Sequence, residues 1–150
     1  MTPYAINREN FLPVVDQDVV TIIGATNRGW GIVEIDISGA GSSAAFFQLA
    51  VYSVTTAGVT PTGLITPEPS VNTAHPAAAL TAPTTWGTQP VVNKLLHPIP
   101  SNAIGRYYWR ATRIEEVLWC KGGADAAASR SIRALDVNGN ITMRLKVIEI

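Results

Sequence analysis

The two histidines are the side chains best suited to chemistry near neutral pH, because imidazole can act as a general base or bind a metal ion. His75 and His97 each precede a proline, which favours extended backbone at both positions and places both in one long connecting segment. A metal site there would need carboxylate ligands, and Glu68 is the sole nearby candidate. We therefore expect the histidines to pack against the protein or to hydrogen-bond to backbone, and we predict no metal site.

Hydroxyl and carboxylate groups do not form a recognisable catalytic arrangement either. Glu115 and Glu116 are adjacent, so in a strand they would point to opposite faces and could not act as an acid and base pair on a glycosidic bond. Ser42 and Ser43 lie in a glycine-rich turn without the strand, tight turn and helix that expose a nucleophilic serine. The sequence therefore predicts a protein that is not an enzyme and has no catalytic residue.

A glycine-rich loop with nucleotide-like spacing follows one predicted strand. Gly39, Gly41 and Ala44 match the spacing of a dinucleotide-binding loop. A following helix and an acidic residue about 20 positions further on, which would hold a ribose, are both missing from the pattern. We interpret the segment as a flexible loop between two strands, and we predict no cofactor.

Three aromatic residues, Tyr107, Tyr108 and Trp109, lie between Arg106 and Arg110, and aromatic and basic side chains together can stack on bases or sugars. In a strand, Tyr108 would share one face with both arginines, while Tyr107 and Trp109 would share the other. Core packing of Tyr107 and Trp109 is the interpretation we favour. A binding platform is the alternative.

The overall charge argues against nucleic acid and membrane partners. The chain has 11 basic and 11 acidic residues, so no net charge would attract a polyanion. No apolar run reaches the roughly 20 residues needed to cross a bilayer, and the first residues do not resemble an export signal.

Cys120 is the single cysteine, which excludes an internal disulfide, and we expect it to be a small buried hydrophobe. We expect a protein made in a cytoplasm, with no nucleic acid and no membrane as partner.

The segment from Thr55 to Pro100 contains only two charged residues, Glu68 and Lys94, among many Thr, Pro, Ala and Val residues. Such a surface is suited to lying against protein, because charged residues are what keep a free surface soluble. Its prolines are spaced so closely that neither a long helix nor a central strand is expected, although Ala77 to Leu80 could form one helical turn. We predict a long Thr/Pro/Ala-rich loop that contacts another polypeptide.

Alternation of apolar and polar residues with a period of two predicts strands in the rest of the chain. The predicted strands are Val19 to Ile23, Ile32 to Ser38, a central strand at Ala45 to Val54, Arg106 to Thr112, Ile114 to Cys120, Ser129 to Val137 and Asn140 to Ile150. A helix is the alternative at Ala45 to Val54. On the second of these strands, Val33, Ile35 and Ile37 are expected to face the core. On the last, one face is expected to carry Ile141, Met143, Leu145 and Val147, and the other Thr142, Arg144 and Lys146. Asn138-Gly139 is the dipeptide most typical of a two-residue turn, so a terminal hairpin is expected.

These elements predict an all-β protein, either a sandwich or a barrel, and we expect an antiparallel β-sandwich. The sandwich is expected to be one domain over residues 19–150, including the 55–100 connection. Residues 1–18 are predicted to form an extended N-terminal arm with a few apolar anchors, among them Tyr4, Phe11 and Leu12.

In the order of these features the chain resembles capsid decoration, or cement, proteins of tailed bacteriophages, which have a jelly-roll-like β-sandwich. The resemblance lies in the alternating segment Ile32 to Ile37, the strand Phe47 to Val51, the Thr- and Pro-rich connection from Thr60 to Trp86, the Tyr107-Tyr108-Trp109 strand and the Asn138-Gly139 pair. It implies a noncatalytic virion protein on the outer capsid surface, often a trimer, that bridges adjacent copies of the major capsid protein.

The side chains expected to make protein contacts lie in the arm and in the uncharged connection: Tyr4, Phe11, Leu64, Ile65 and Trp86. Acidic residues predominate up to Gly105 and basic residues after it, which could let neighbouring copies meet or could cancel within one fold. The alternative function is a carbohydrate- or receptor-binding β-sandwich module of a phage fibre or spike, in which Tyr108 would engage the ligand.

Overall fold

The computed structural model describes residues 2–40, 46–70, 76–101, 105–123 and 125–150. The strands in these residues are β1 (Thr2–Phe11), β2 (Asp18–Ile23), β3 (Trp30–Gly39), β4 (Phe47–Thr56), β5 (Val59–Ile65), β6 (Glu68–Pro69), β7 (Ala82–Thr88), β8 (Val91–Pro100), β9 (Arg106–Arg110), β10 (Leu118–Cys120), β11 (Ser129–Val137) and β12 (Ile141–Glu149). Short 3-10 turns occur at Ile114–Glu116 and Ala126–Ala128. No helix in these ranges is long and apolar enough to span a bilayer. The predicted all-β fold class is confirmed.

The strands form antiparallel sheets that enclose one core. β10, β3, β12, β1 and β6 follow one another across the first sheet, and β9 also pairs with β3. β2, β11, β4 and β8 form the second sheet, while β5 and β7 form a separate two-stranded sheet. Side chains from both larger sheets, such as Ile35 and Met143 from the first and Leu49 and Ile132 from the second, belong to one buried cluster. This arrangement agrees with the predicted antiparallel sandwich.

β12 lies in the interior of the first sheet, paired with β1 on one side and with β3 on the other. The side chains predicted to face inward from β12 are all buried: Ile141, Met143, Leu145 and Val147. Arg144 and Lys146, predicted to face outward, are exposed. The period-two pattern of the C-terminal segment therefore gave the correct strand and the correct face.

The alternation on β3 is interrupted at Val33. Lys146 pairs with Glu34 while the next residue, Val147, pairs with Ile32, so Val33 is an extra residue on β3. This β-bulge places Ile32 in the core, and Val33 is only partly buried. The expectation that Val33 faces inward with Ile35 is therefore wrong.

The predicted terminal hairpin is also wrong. β11 pairs with β2 and β4 in the second sheet, whereas β12 pairs with β1 and β3 in the first. Asn138-Gly139 therefore connects two sheets, and neither residue has the positive φ of a two-residue hairpin turn. Asn138 instead donates its backbone N–H to the Phe46 carbonyl at 3.1 Å and accepts the Phe46 N–H on Oδ1 at 2.7 Å. Longer-range strand partners override the local turn preference.

Residues 2–11 form a strand of the first sheet instead of the extended arm predicted from the sequence. β1 pairs with β12 along its length and with the short β6 on its other edge. Tyr4 and Ile6 on this strand are buried in the core. Arg8 donates to the Val19 carbonyl at 2.7 Å and so ties β1 to β2. The apolar residues of this segment complete the sandwich.

Most of the described part of the 55–100 segment is strand, so the predicted long loop is corrected. Prolines exclude central strands but are tolerated at sheet edges. Pro98 and Pro100 lie on β8, which is the edge of the second sheet, and Pro61 and Pro83 lie on the two-stranded β5–β7 sheet. Residues 77–80 are not helical, so the helical turn predicted there is wrong.

The other strand predictions are largely confirmed. β4 lies between β11 and β8, as expected for a strand with two apolar faces, and β2 and β9 occupy their predicted segments. In the predicted strand Ile114 to Cys120, only Leu118–Cys120 is a strand, because a 3-10 turn occupies the first residues. Cys120 is buried, as predicted.

Candidate functional site

Of the side chains considered for catalysis, His97 and Glu116 have structural partners. His97 on β8 places Nε2 2.6 Å from the Tyr107 hydroxyl oxygen, and its ring lies 4.8 Å from the ring of Trp109. Burial lowers the pKa of His97 and raises the pKa of Tyr107, since both lose water around their charged forms. This contact joins the edge strands β8 and β9 of opposite sheets, which agrees with the packing role expected for His97. His75 lies outside the described residues.

Glu115 and Glu116 lie on a 3-10 turn, not on the strand assumed from the sequence. Glu116 accepts hydrogen bonds from the backbone N–H of Thr112 at 2.7 Å and from the Thr112 hydroxyl at 3.0 Å. The backbone hydrogen bond is the main reason why the pKa of Glu116 is lowered. Glu116 therefore stabilises a turn.

The structure describes only part of the glycine-rich loop. Gly39 ends β3, whereas Gly41, Ser42, Ser43 and Ala44 lie outside the described residues. In the described ranges, no group of three His, Cys, Asp or Glu side chains could hold a metal ion.

Tyr107 and Trp109 pack against the hydrophobic core from β9, which confirms the favoured interpretation of the aromatic strand. Tyr108 faces the other way and is exposed, with the Arg106 guanidinium 5.9 Å from the centre of its ring. The outer surface of the first sheet therefore has one exposed aromatic ring at its β9 edge.

The β5–β7 sheet, which we call the ribbon, contains no charged residue. Its outer strand, β5, is exposed along most of its length, and Leu64 is 66% exposed. The ribbon runs beside β2, to which it is joined by a β-bridge between Ile23 and Thr81 just before β7. Removing water from an exposed surface without charge costs little free energy, which suits such a surface to contact with another protein.

Trp86 anchors the ribbon to the second sheet. Its Nε1–H donates to the Thr21 hydroxyl on β2 at 2.9 Å. The ring is also closely covered by Gly58, where an added Cβ atom would lie 2.5 Å from it. Only glycine fits at this approach, so the indole is held on two sides. The half-buried Trp86 thus fixes the ribbon, and its predicted contact with a partner stays a prediction.

A buried polar network lies beneath this anchor. The Asp18 carboxylate accepts from Arg133 Nε at 2.9 Å, from the Thr21 hydroxyl at 2.6 Å and from the Ser131 hydroxyl. The backbone N–H of Asp18 donates to Gln89 Oε1, just after β7, at 3.0 Å. Because the network joins β2, β11 and the end of the ribbon, the ribbon is a fixed part of the fold.

An apolar groove lies at the base of the ribbon. Its volume is about 200 Å³, and it is lined mainly by Leu64, Ile65, Pro67, Ala78, Leu80 and Ala82. One wall is held by Glu149, which is only 4% exposed and whose Oε1 accepts the backbone N–H groups of Ala79 and Leu80 at 2.8 and 2.9 Å. Sequence reasoning did not identify this role, because Glu149 lies in an otherwise apolar strand end.

A second exposed apolar element lies beside the ribbon. Leu12, Val14 and Val15 in the β1–β2 connection are 61%, 54% and 45% exposed. Residues of this loop share a small surface pocket with Thr84 and Thr85 of β7. We call residues 12–15 the apolar loop. The uncharged run from Phe11 to Val15 was its signal in the sequence, where Leu12 was interpreted only as an anchor of the arm.

The five predicted contact residues have different positions in the structure. Tyr4 is 1% exposed and cannot contact a partner without opening the core. Phe11 and Ile65 pack partly against the core, and the Arg8 guanidinium lies 3.9 Å from the centre of the Phe11 ring. Leu64, at 66%, is the one member of the set that is largely exposed. The surface that remains for contact is therefore the outer side of the ribbon, its basal groove and the apolar loop.

Comparison with known protein families, with curated proteins and with solved structures finds no match to this chain.

Proposed function

We propose that this protein is a noncatalytic virion structural protein that binds the outside of an assembled phage capsid and bridges adjacent capsid subunits. The observation that carries the proposal is the surface formed by the uncharged ribbon and the apolar loop. Both elements expose apolar side chains, namely Leu64 and Val59 on the ribbon and Leu12, Val14 and Val15 on the loop. The proposed partner is the major capsid protein.

The anchoring of the ribbon favours tight contact. Fully burying one leucine or valine side chain contributes roughly 1.5–3 kcal/mol, and the ribbon and the apolar loop together expose five of them. Trp86 and the Asp18 network already hold the ribbon in place, so little conformational freedom remains to be lost on binding. A rigid uncharged surface loses little conformational entropy and few strong contacts with water on binding, so most of the energy of its contacts contributes to affinity.

The strand order supports the jelly-roll part of the proposal. A jelly roll arranges eight strands in two sheets by two Greek keys, and the fold is common in viral capsid proteins. Eight strands of this chain follow the orders β1–β12–β3–β9 and β2–β11–β4–β8, with β1 to β4 alternating between the sheets. We interpret β5, β6 and β7 as an insertion between the fourth and fifth strands of that roll.

Binding to an assembled shell would stabilise it by mass action, because the ligand favours the assembled state. A trimer would hold several contact surfaces at a fixed spacing, and each further contact would then form at high effective concentration. We therefore propose a homo-oligomer, with a trimer favoured.

The test is co-sedimentation of the purified protein with capsids that lack outer proteins. The proposal expects binding at micromolar protein, strongly weakened by Leu64→Asp because a charge would be buried at the contact. Ile114→Asp is the matched control. Ile114 is also exposed, but it lies on the turn just before β10, the strand at the edge of the first sheet opposite β6. No co-sedimentation, or equal weakening by both substitutions, would remove the proposal. Light scattering that finds only monomer over a wide concentration range would remove the trimer.

A further inference from the structure

The outer face of the first sheet carries polar side chains that are aligned in a row across the strands. Tyr108 of β9 pairs with Asp36 of β3, Asp36 with Arg144 of β12, and Arg144 with Asn7 of β1. With neighbouring strands about 4.8 Å apart, this row is roughly 14 Å long. All four residues are exposed or partly exposed. The row therefore forms a polar path at right angles to the strands.

A depression runs beside this row because Ala5 has a short side chain between longer ones. Ala5 pairs with Lys146 on one side and with Glu68 on the other. A groove of about 370 Å³ lies here, lined by Ala5, Asn7, Glu34, Asp36, Arg144 and Lys146 together with Ser70 and Leu145. A second groove of about 240 Å³ shares Ala5 and Asn7 and continues past Glu68 to Ile65 and Thr66. We call these two connected grooves the polar trough.

Opposite charges are paired within the trough. Lys146 Nζ lies 3.2 Å from Glu34, and Arg106 Nε lies 3.4 Å from Asp36 at the trough's edge. These contacts fix the carboxylates in place while leaving acceptor sites on their oxygens, and the Asn7 amide can both donate and accept. The trough thus presents alternating donors and acceptors without a strong excess of either charge.

We propose that the polar trough binds a neutral oligosaccharide, laid across the strands from Tyr108 towards Asn7. Sugar hydroxyls both donate and accept, so they match carboxylates and cations that alternate along a path. Tyr108, 51% exposed at one end of the row, offers an aromatic face on which a sugar ring can stack. A polyanion would meet Glu34, Asp36 and Glu68, and an apolar peptide would meet a lining in which most residues are polar or charged. A neutral polyhydroxylated chain is the ligand class that fits both features.

The test is an NMR titration of the isolated protein, without capsids, so its result is independent of the proposed capsid binding. The probes are neutral hexasaccharides of glucose, mannose, galactose and N-acetylglucosamine. At least one is expected to shift the backbone amides of β1, β3 and β12, with a dissociation constant of about 1 mM or lower. The same titration with oligo-dT shows whether charge alone is recognised.

Two variants decide whether the trough is the site. Tyr108→Ala should lower the affinity about fivefold or more, the loss expected from one stacking contact, and Arg144→Ala should also lower it. Ile114→Ala, which removes an exposed apolar side chain outside the trough, should leave binding unchanged. Unchanged amide spectra confirm that each variant is folded. The proposal is overturned if no hexasaccharide binds at about ten times that concentration, if both trough variants bind normally, or if oligo-dT binds as well as the sugars.

Discussion

Arg133 Nε lies 2.9 Å from the Asp18 carboxylate, and the two side chains are 13% and 0% exposed. This nearly buried ion pair joins β11 to β2, the strand against which the ribbon lies. Removing one partner leaves the other charge buried and uncompensated, which is much costlier than losing an exposed pair. Removing one partner of the pair should therefore be strongly destabilising.

We expect Arg133→Met to lower the free energy of unfolding by about 3–5 kcal/mol, measured by urea denaturation. Lys146→Met is the matched control, because it breaks the more exposed 3.2 Å pair with Glu34 and should cost about 1 kcal/mol or less. Equal losses in the two variants would show that breaking the Asp18–Arg133 pair costs no more than breaking an exposed ion pair.

The Trp86–Thr21 hydrogen bond predicts how the ribbon is held. Trp86→Ala removes both the 2.9 Å hydrogen bond and the ring that covers Gly58, so the backbone amides of β5 and β7 should exchange with deuterium faster. Thr21→Val removes the hydroxyl, and with it the hydrogen bonds to Trp86 and Asp18, but keeps the indole ring on Gly58, so it should give a smaller increase. Amides of β12 serve as the internal reference. Unchanged exchange in the ribbon of the Trp86→Ala variant would mean that other contacts hold it.

The His97–Tyr107 contact predicts a dependence of stability on pH. Because burial lowers the pKa of His97 below its usual value of 6.5, the unfolded chain takes up the proton first as the pH falls. The stabilising contribution of neutral His97 is then complete above about pH 6.5 and is lost as the pH falls through the lowered folded pKa.

Urea denaturation at about pH 7.5 and about pH 5 measures this effect. The native protein should lose more free energy of unfolding between the two conditions than His97→Gln, which has no imidazole to titrate. Tyr107→Phe removes the hydrogen bond but keeps the imidazole, so it should retain a pH dependence. If His97→Gln and the native protein lose equal stability, His97 does not contribute in this range.

At Asn138-Gly139, where the chain passes from one sheet to the other, we expect the protein to tolerate replacement of the glycine. Since Gly139 does not have positive φ, Gly139→Ala should be neutral or should stabilise the protein by up to about 1 kcal/mol through the unfolded state. Gly123 has φ +133°, so Gly123→Ala should be destabilising. Thermal denaturation of both variants tests the pair. Marked destabilisation by Gly139→Ala would indicate that the turn needs glycine after all.

The same dipeptide shows how far the sequence determines this fold. The period-two pattern of β3, β4 and β12 reports which residues are buried, so it predicted the strands and the all-β class. Partner choice depends on contacts such as that between Asn138 and Phe46, which are 92 residues apart and leave no local pattern. In the same way, Leu64 was recognisable as apolar and uncharged, but the burial of Tyr4 depended on the pairing of β1 with β12.

The Glu149 carboxylate predicts a stabilising role for the end of the chain. Its Oε1 accepts the backbone N–H groups of Ala79 and Leu80, and its Oε2 accepts from Arg28 at 3.3 Å. Glu149→Ala would leave the buried amide of Leu80 and the partly buried amide of Ala79 without this acceptor, so we expect a loss of about 2–4 kcal/mol in the free energy of unfolding. Hydrogen exchange at residues 79 and 80 should accelerate in the same variant.

Two controls separate the Glu149 carboxylate from its neighbours. Ile150→Ala, at a side chain that is 66% exposed, should change stability little. Arg28→Ala removes only the ion pair to the half-exposed guanidinium and should cost about 1 kcal/mol or less. Because Glu149 holds one wall of the basal groove, Glu149→Ala should also weaken co-sedimentation with capsids, whereas Arg28→Ala should not. Normal exchange at residues 79 and 80 in Glu149→Ala would show that the wall is held by other contacts.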